Sequence, residues 1–299
     1  MPSPITPKAH NAHNAHNAHQ MKIITGNTAL RQCIPNTFAT VDGETTWYDK
    51  LYPFLEQAED WLATNITSQQ VIDSLYQVPE TVPLKRLAAK AVTAHALMAA
   101  IPSIDLVLTP NGFGIVNTGN IAPASRDRVE RLIASVENER DCAIESMLLR
   151  LPTEDGWLQT GQGRFFASTL FPNLSLCRRL AIRQHQWEEY NALRSRLIKI
   201  ENTLAETYFS QEQMAVFREK SIHLLTDCHP QMLHVIRALQ SCELMIVTDM
   251  EVHCQSFYDL VNIIRQHPET FPEWHNSHTA QLYIPKIFEN KKSSSGYWF

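Results

Sequence analysis

The chain has 299 residues and a formal net charge of −5, and 44% of its residues are hydrophobic and 19% charged. These proportions are those of an ordinary soluble globular protein, long enough for one large domain or two smaller ones. The negative balance excludes a general basic surface for nucleic acid. No apolar run approaches the length of a membrane span, and the N-terminus lacks the apolar core of a signal peptide.

The first twenty residues differ from the rest because histidine recurs there with a period of three, at His10, His13, His16 and His19. Three origins stay open: an expression tag, a triplet repeat in a natural leader, or a metal site. A metal site would need packed neighbours to fix the geometry of the imidazoles. We expect 1–20 to be a flexible leader and the folded protein to begin at Met21.

Helical periodicity dominates from about residue 45 onward. One amphipathic stripe comprises Trp47, Leu51, Phe54, Leu55, Ala58, Trp61 and Leu62. Pro53 lies inside this pattern, so the helix is expected to start near it or to kink there. Ser68 is the predicted N-cap of a second, shorter helix, and an alanine-rich third helix is predicted over 84–100.

The same pattern returns 142 positions later in the chain. The matching pairs are Leu51 and Leu193, Leu55 and Leu197, Glu59 and Glu201, Leu62 and Leu204, Ala63 and Ala205, Ser68 and Ser210, and Gln69 and Gln211. Ser210 and Gln213 have the spacing of a capping box, and an Ala/Leu-rich helix is predicted over 230–247. The sequence therefore predicts two related helical units, 21–151 and 175–282, joined by a turn-rich linker over 152–174.

A short β-hairpin is predicted within the first unit, at about 104–117. Two β-rich runs flank Pro110, Asn111 and Gly112, which are turn-forming residues. Gly112 and Gly114 lack the third glycine of a dinucleotide fingerprint, and no Gly-Lys-Ser/Thr follows, so a phosphate-binding loop is not expected.

A long helix is predicted to follow the hairpin, opening near the Pro-Ala-Ser at 123–125. Its predicted buried face comprises Val129, Leu132, Ile133, Val136, Ala143, Ile144, Met147 and Leu148. Its predicted solvent face comprises Arg126, Arg128, Glu130, Arg131, Glu137 and Glu139.

Catalytic patterns are sparse. His185 and Glu188 have a spacing used by di-metal helical bundles, but no matching motif occurs on the other helices, which favours a solvated helix face. Two Cys–His neighbours, Cys228-His229 and His253-Cys254, fit no zinc module together with Cys242. The six cysteines form no CxxC pair and are expected to be reduced and mostly buried. We expect no catalytic, cofactor or metal site and no enzymatic activity.

The C-terminal segment 283–299 is expected to be an extended tail that ends in three aromatic residues, Tyr297, Trp298 and Phe299. Three large rings are costly to leave in water, so the tail is expected to dock on a surface, with that of another subunit as one candidate. The candidate contact residues for a subunit or partner are those of the hairpin and of the tail: Asn111, Gly112, Phe113, Ile115, Tyr297, Trp298 and Phe299.

From Leu106 to Leu151 the chain resembles an uncharacterised structural family carried by Bacteroidetes phages and prophages. The likeness lies in a Leu/Ala-rich helix, a hairpin with a Gly-Phe turn and a long helix after Pro-Ala-Ser, and 164–208 resembles the family's repeated long-helix unit. Taken over the whole pattern, it extends from about Met21 to the C-terminus. The family is generally placed near head and tail components.

The resemblance implies a head–tail connector or adaptor in the neck of a virion, made in the host bacterial cytoplasm. Such a protein would be a homo-oligomeric ring, twelve-fold by analogy with connectors. Its expected partners are the portal protein and a tail or second neck protein. Genomic DNA would pass through the lumen without specific binding, which suits the negative charge, and no membrane is involved.

Three alternatives remain. A tail-completion or tail-terminator protein would also be a ring. A metal-dependent enzyme would use the region of His185 and Glu188. A regulatory or DNA-binding module is disfavoured by the acidic balance and by the lack of a helix-turn-helix signal.

Overall fold

The computed structural model describes residues 22–34, 46–104, 106–109, 112–115 and 125–284. The protein is mainly α-helical, as the sequence predicts. No helix in these ranges is both long enough and apolar enough to span a membrane. The helices are α1 (Asn27–Cys33), α2 (Trp47–Asn65), α3 (Gln69–Gln77), α4 (Pro83–Ile104), α5 (Arg126–Leu148), α6 (Gly161–Phe166), α7 (Ser175–Arg179), α8 (Gln186–Leu204), α9 (Gln211–Ile222), α10 (Pro230–Val247), α11 (Cys254–Gln266), α12 (Pro272–His275) and α13 (His278–Gln281).

Helix α2 begins six residues before Pro53, with that proline inside it. The hydroxyl of Thr46 caps the helix by accepting a hydrogen bond from the backbone N–H of Asp49 at 3.3 Å. The predicted stripe is buried where it faces α3 and α4, at Leu51, Leu55, Ala58 and Leu62. The amphipathic pattern therefore predicts both the helix and the side that it buries.

Two serines begin the short helices α3 and α9 in the same way. Ser68 accepts a hydrogen bond from the N–H of Val71 at 3.3 Å, and Ser210 accepts one from Gln213 at 3.2 Å, so both predicted N-caps are confirmed. Both serines have positive φ, 121° and 62°. A non-glycine residue with positive φ carries backbone strain, on the order of 1–3 kcal/mol. The packing of the surrounding helices must therefore hold both serines in this strained conformation.

Two four-residue strands follow α4 and pair antiparallel. Strand β1 (Leu106–Thr109) aligns with β2 (Gly112–Ile115), with Thr109 opposite Gly112 and Leu106 opposite Ile115. Gly112 therefore lies in a strand and not in the turn where the sequence placed it. Pro110 and Asn111 lie outside the described residues.

Helix α5 departs from the predicted division into a buried and a solvent face. Its C-terminal half buries its apolar residues as expected, but Leu132 is 37% exposed and Val129 and Ile133 are only half-buried. Conversely, Glu137 was predicted to face solvent and is buried. The periodicity is correct, but the N-terminal half of the helix has little of the described chain against it.

The described residues divide into two compact units. Unit 1 ends at Arg164 and also includes Arg183–Gln186, and unit 2 comprises Phe165–Ile182 and the chain from Trp187 onward. The stretch 152–174, predicted as a linker, contains α6 and the fully buried side chains of Trp157 and Phe166. Its side chains thus contribute to the cores of the units themselves.

Candidate interaction surfaces

The structure locates the predicted contact residues only in part. Gly112, Phe113 and Ile115 lie in β2, where Phe113 pairs with Leu108 of β1. Asn111 and the tail residues Tyr297, Trp298 and Phe299 lie outside the described residues. Whether the hairpin and the tail contact a partner stays a prediction.

The region proposed for metal chemistry contains an intramolecular contact that ties α5 to the start of α8. His185 Nδ1 lies 2.7 Å from Oε1 of the buried Glu137. On the next turn of α5, Asp141 is held by Arg140 at 2.8 Å and accepts the N–H of Gln186 at 3.1 Å. The two carboxylates therefore receive donors that position the loop before α8. This use of buried carboxylates is a packing role.

The cysteines are less buried than the sequence suggested. Cys177 is buried, Cys142 and Cys254 are exposed, and Cys33, Cys228 and Cys242 are intermediate, all with free thiols. Burial raises the pKa of the Cys228 and Cys242 thiols. Raised thiol pKa values disfavour the thiolate, which is the form that binds metals and attacks substrates.

A buried carboxylate in unit 1 holds an N-terminal segment against α2. Glu59 accepts the backbone N–H of Ile23 at 2.7 Å and the hydroxyl of Tyr76 at 2.9 Å. The hydroxyl of Tyr48 donates to the carbonyl of Ile24 at 3.3 Å. Burial raises the pKa of Glu59, while the hydrogen bonds act in the opposite direction. We call Ile23–Ile24 the strap of unit 1.

Unit 2 repeats this arrangement. Glu201 on α8 accepts the backbone N–H of Leu170 at 2.7 Å and Nε of Arg218 at 2.7 Å. The hydroxyl of Tyr190 donates to the carbonyl of Phe171 at 2.9 Å. Leu170–Phe171 is therefore the strap of unit 2, held at its N–H by a glutamate and at its C=O by a tyrosine. The tyrosines and glutamates of the two units share the 142-residue offset seen in the sequence.

A tryptophan closes the end of the long helix in each unit. The indole N–H of Trp157 donates to the carbonyl of Ile66 at 3.1 Å, just after α2. The indole N–H of Trp274 donates to the carbonyl of Tyr208 at 2.8 Å, in the π-helical segment Ala205–Phe209 after α8. Carbonyls at helix ends lack partners within the helix, and each indole supplies one. Ile66 and Tyr208 again differ by 142 positions.

Unit 2 contains a buried carboxyl group that the sequence analysis did not single out. Glu243 on α10 is fully buried, and among the described residues neither of its oxygens has a hydrogen-bond partner. Burial, together with the nearby charge of Glu201, raises the pKa of Glu243 well above its ordinary value, while Arg218 and Arg179 act in the opposite direction. Burial therefore favours the protonated form of this group in the folded protein.

Unit 2 also presents a group of exposed aromatic and aliphatic side chains. Tyr258 is 45% exposed, Leu282 66% and Ile284 63%. The ring of Tyr208 lies 5.6 Å from that of Tyr258, which lies 6.3 Å from that of Tyr283. We call these five residues the aromatic patch.

Comparison with known proteins finds a similarity over part of the chain. No curated protein and no solved structure matches the chain significantly. Residues 41–167 match the model of a family of unknown function, DUF6712. The matched stretch includes α2 to α5 and Trp157, and so most of the frame of unit 1. Over that stretch the chain is similar to a family to which no activity is assigned.

Proposed function

We propose that the protein is a structural subunit of a bacteriophage particle, a head–tail connector or adaptor that forms a ring. The observation that carries this proposal is the N-terminal half of α5. There Val129, Leu132 and Ile133 form an apolar stripe that the described chain covers only in part. An amphipathic helix with an uncovered apolar stripe is typical of a surface that meets another chain. A second copy would supply the missing cover.

The repeated frame supports a scaffold role. Each unit fastens its strap with a buried glutamate and a tyrosine, starts a short helix at a strained serine, and closes the long helix with an indole. We infer that the two units arose by duplication. In unit 1 the chain between α4 and α5 holds β1 and β2, whereas in unit 2 α10 and α11 are joined by a short loop. We therefore propose that the hairpin is an insertion that reaches a neighbour.

The charge balance supports a conduit for DNA. A ring with a net charge of −5 on each subunit repels phosphates and lets DNA slide without being held. The ring would lie in the neck of the virion between the portal protein and the tail.

Electron microscopy of the purified protein tests the proposal, with mass measurement in solution to give the number of subunits. Wild type is expected to form closed rings. Leu132→Asp is expected to lose them while keeping its helical circular dichroism, because a carboxylate cannot be buried on the apolar stripe without a large cost. Asn138→Asp is the matched control, since it adds the same charge at an exposed polar position of α5.

The outcomes separate the parts of the proposal. If wild type stays monomeric under all conditions, the ring is refuted. If rings form with both variants, the protein assembles but α5 is not the interface.

A further inference from the structure

We propose that the aromatic patch of unit 2 is the receptor for the C-terminal segment 285–299 of a neighbouring copy. This inference rests on the proposed function, because it requires the protein to assemble. The patch is defined by Tyr208, Tyr258, Leu282, Tyr283 and Ile284. Its aromatic rings and branched aliphatic side chains would bind an aromatic peptide.

The patch has a rigid base. The carbonyls of Thr207 and Tyr208, in the π-helical segment, accept hydrogen bonds from the hydroxyl of Tyr283 and from the indole of Trp274, both at 2.8 Å. The ring of Tyr208 also stacks on the ring of Phe257, with centroids 5.1 Å apart. π-helical turns recur at functional sites because they displace backbone groups from the regular helix pattern. A surface that is already ordered loses little entropy when a ligand binds.

The chemistry of the segment matches that of the patch. The sequence beyond Ile284 contains Ile287 and Phe288 and ends in Tyr297-Trp298-Phe299. It also contains three lysines and one glutamate. Aromatic and aliphatic side chains thus occur both in the segment and in the patch, which favours contact between them.

The position at which the segment begins favours a neighbouring copy. Ile284 belongs to the patch and is followed directly by Pro285, and the ring of a proline disfavours helical backbone at the residue before it. Twelve residues separate Ile284 from Tyr297, and a chain of that length reaches at most about 40 Å, which is enough for an adjacent subunit. In a closed ring each patch then receives one segment.

The exposed thiol of Cys254 allows a direct test. The exposed thiol of Cys254 is close enough to the Tyr208 hydroxyl to help raise its pKa, after burial as the larger cause, and so lies at the edge of the patch. Gly296→Cys places a second thiol beside the aromatic end without removing a ring. Copper–phenanthroline with dissolved oxygen would take two electrons and two protons from the pair of thiols and leave one disulfide. Non-reducing gels of the full chain are expected to show a ladder of covalent oligomers.

Gly296→Cys combined with Cys254→Ser is the matched control, and it is expected to lower the ladder at least tenfold. A disulfide within single chains, seen as a faster monomer band, would overturn the assignment to a neighbouring copy. No cross-link, or a ladder that Cys254→Ser leaves unchanged, would overturn the patch as receptor. Electron microscopy of the same samples distinguishes the docking proposal from the ring proposal. Rings without cross-links refute only the docking, whereas cross-linked oligomers without rings refute only the ring.

Discussion

Glu243 shows how one side chain can make the stability of unit 2 depend on pH. Burial and the nearby charge of Glu201 raise the pKa of this carboxyl group, which has no hydrogen-bond donor within the described ranges, so folding favours its protonated form. The unfolded chain releases the proton above a pH of about 4.5, the ordinary value of a glutamate. Between that pH and the pKa of Glu243 in the folded protein, the free energy of unfolding therefore falls as the pH rises, by at most about 1.4 kcal/mol per pH unit.

Replacement of Glu243 by methionine is expected to remove this slope. The side chain has similar volume and no charge, so the variant should be more stable than wild type at pH 8, with the difference shrinking toward pH 5. Urea denaturation across that range measures it. Glu251→Gln, at an exposed position, should leave the wild-type slope unchanged. A difference between Glu243→Met and wild type that did not vary with pH would contradict the prediction.

The sequence contains a signal for Glu243 and for the straps. Glu243 stands directly before the apolar run "LMIV" on α10, and a glutamate is rarely buried unless it is paired. The 142-residue offset relates Glu59 to Glu201, but their role as hydrogen-bond acceptors is visible only once the groups that they bind are known. Ile23 and Leu170 donate backbone N–H groups, which the sequence pattern cannot indicate because every residue except proline has one. Tyr48 and Tyr190 share the same offset and could have extended the match.

At the scale of elements, the strap depends on its glutamate. Glu59→Met is expected to remove the acceptor of the Ile23 N–H and to destabilise unit 1 by about 1–3 kcal/mol. Hydrogen exchange of the peptide around Ile23 should accelerate more than that of α4. Gln57→Met is the control, because it makes a similar change at an exposed position of α2. Equal acceleration of the strap and of α4 would mean that Glu59 affects only global stability.

The start of α6 offers a matched pair of glycines. A Cβ on Gly163 would lie 2.1 Å from the carbonyl oxygen of Trp157, whereas one on Gly161 would meet nothing within 4 Å. Alanine normally stabilises a helix relative to glycine, by up to about 1 kcal/mol. We expect Gly163→Ala to reverse this sign and to lower the melting temperature, while Gly161→Ala keeps it or raises it. Thermal unfolding by circular dichroism measures both, and a stable Gly163→Ala variant would show that the backbone yields.

The positions of the helices could be predicted from the sequence more closely than the burial of their faces. The periodicity and the capping residues indicated α2, α3, α9 and α10 closely, because local sequence determines helix ends. The burial of α5 was less predictable, since the same apolar period occurs whether a helix packs on its own chain or on another. Leu132 is exposed and Glu137 is buried, which reverses their expected environments. The glycines of 152–174 resemble those of a linker and do not indicate that Trp157 is buried there.

At the scale of the whole molecule, the same pattern of buried hydrogen bonds occurs in each of the two units, but the units differ in the apolar surfaces that they expose. Unit 1 exposes the apolar stripe of α5, and unit 2 exposes the aromatic patch. A repeated interior can therefore be kept while its surface diverges, since the buried frame constrains only the residues that form it. Assembly through different surfaces on the two units would give each subunit two kinds of contact, as a closed ring with head-to-tail interfaces requires.

The histidine-rich residues 1–20 are expected to be dispensable for both fold and assembly. Their sequence has few apolar side chains that could anchor it, and the frame of unit 1 begins at Ile23. Deletion of 1–20 should leave the melting temperature and the assembly state unchanged and should abolish retention on a nickel resin, because the four periodic histidines are removed. Substitution of those four histidines by asparagine in the full chain is the control, and it should abolish retention equally. A fall of several degrees in the melting temperature after deletion would show instead that the leader packs on the folded body.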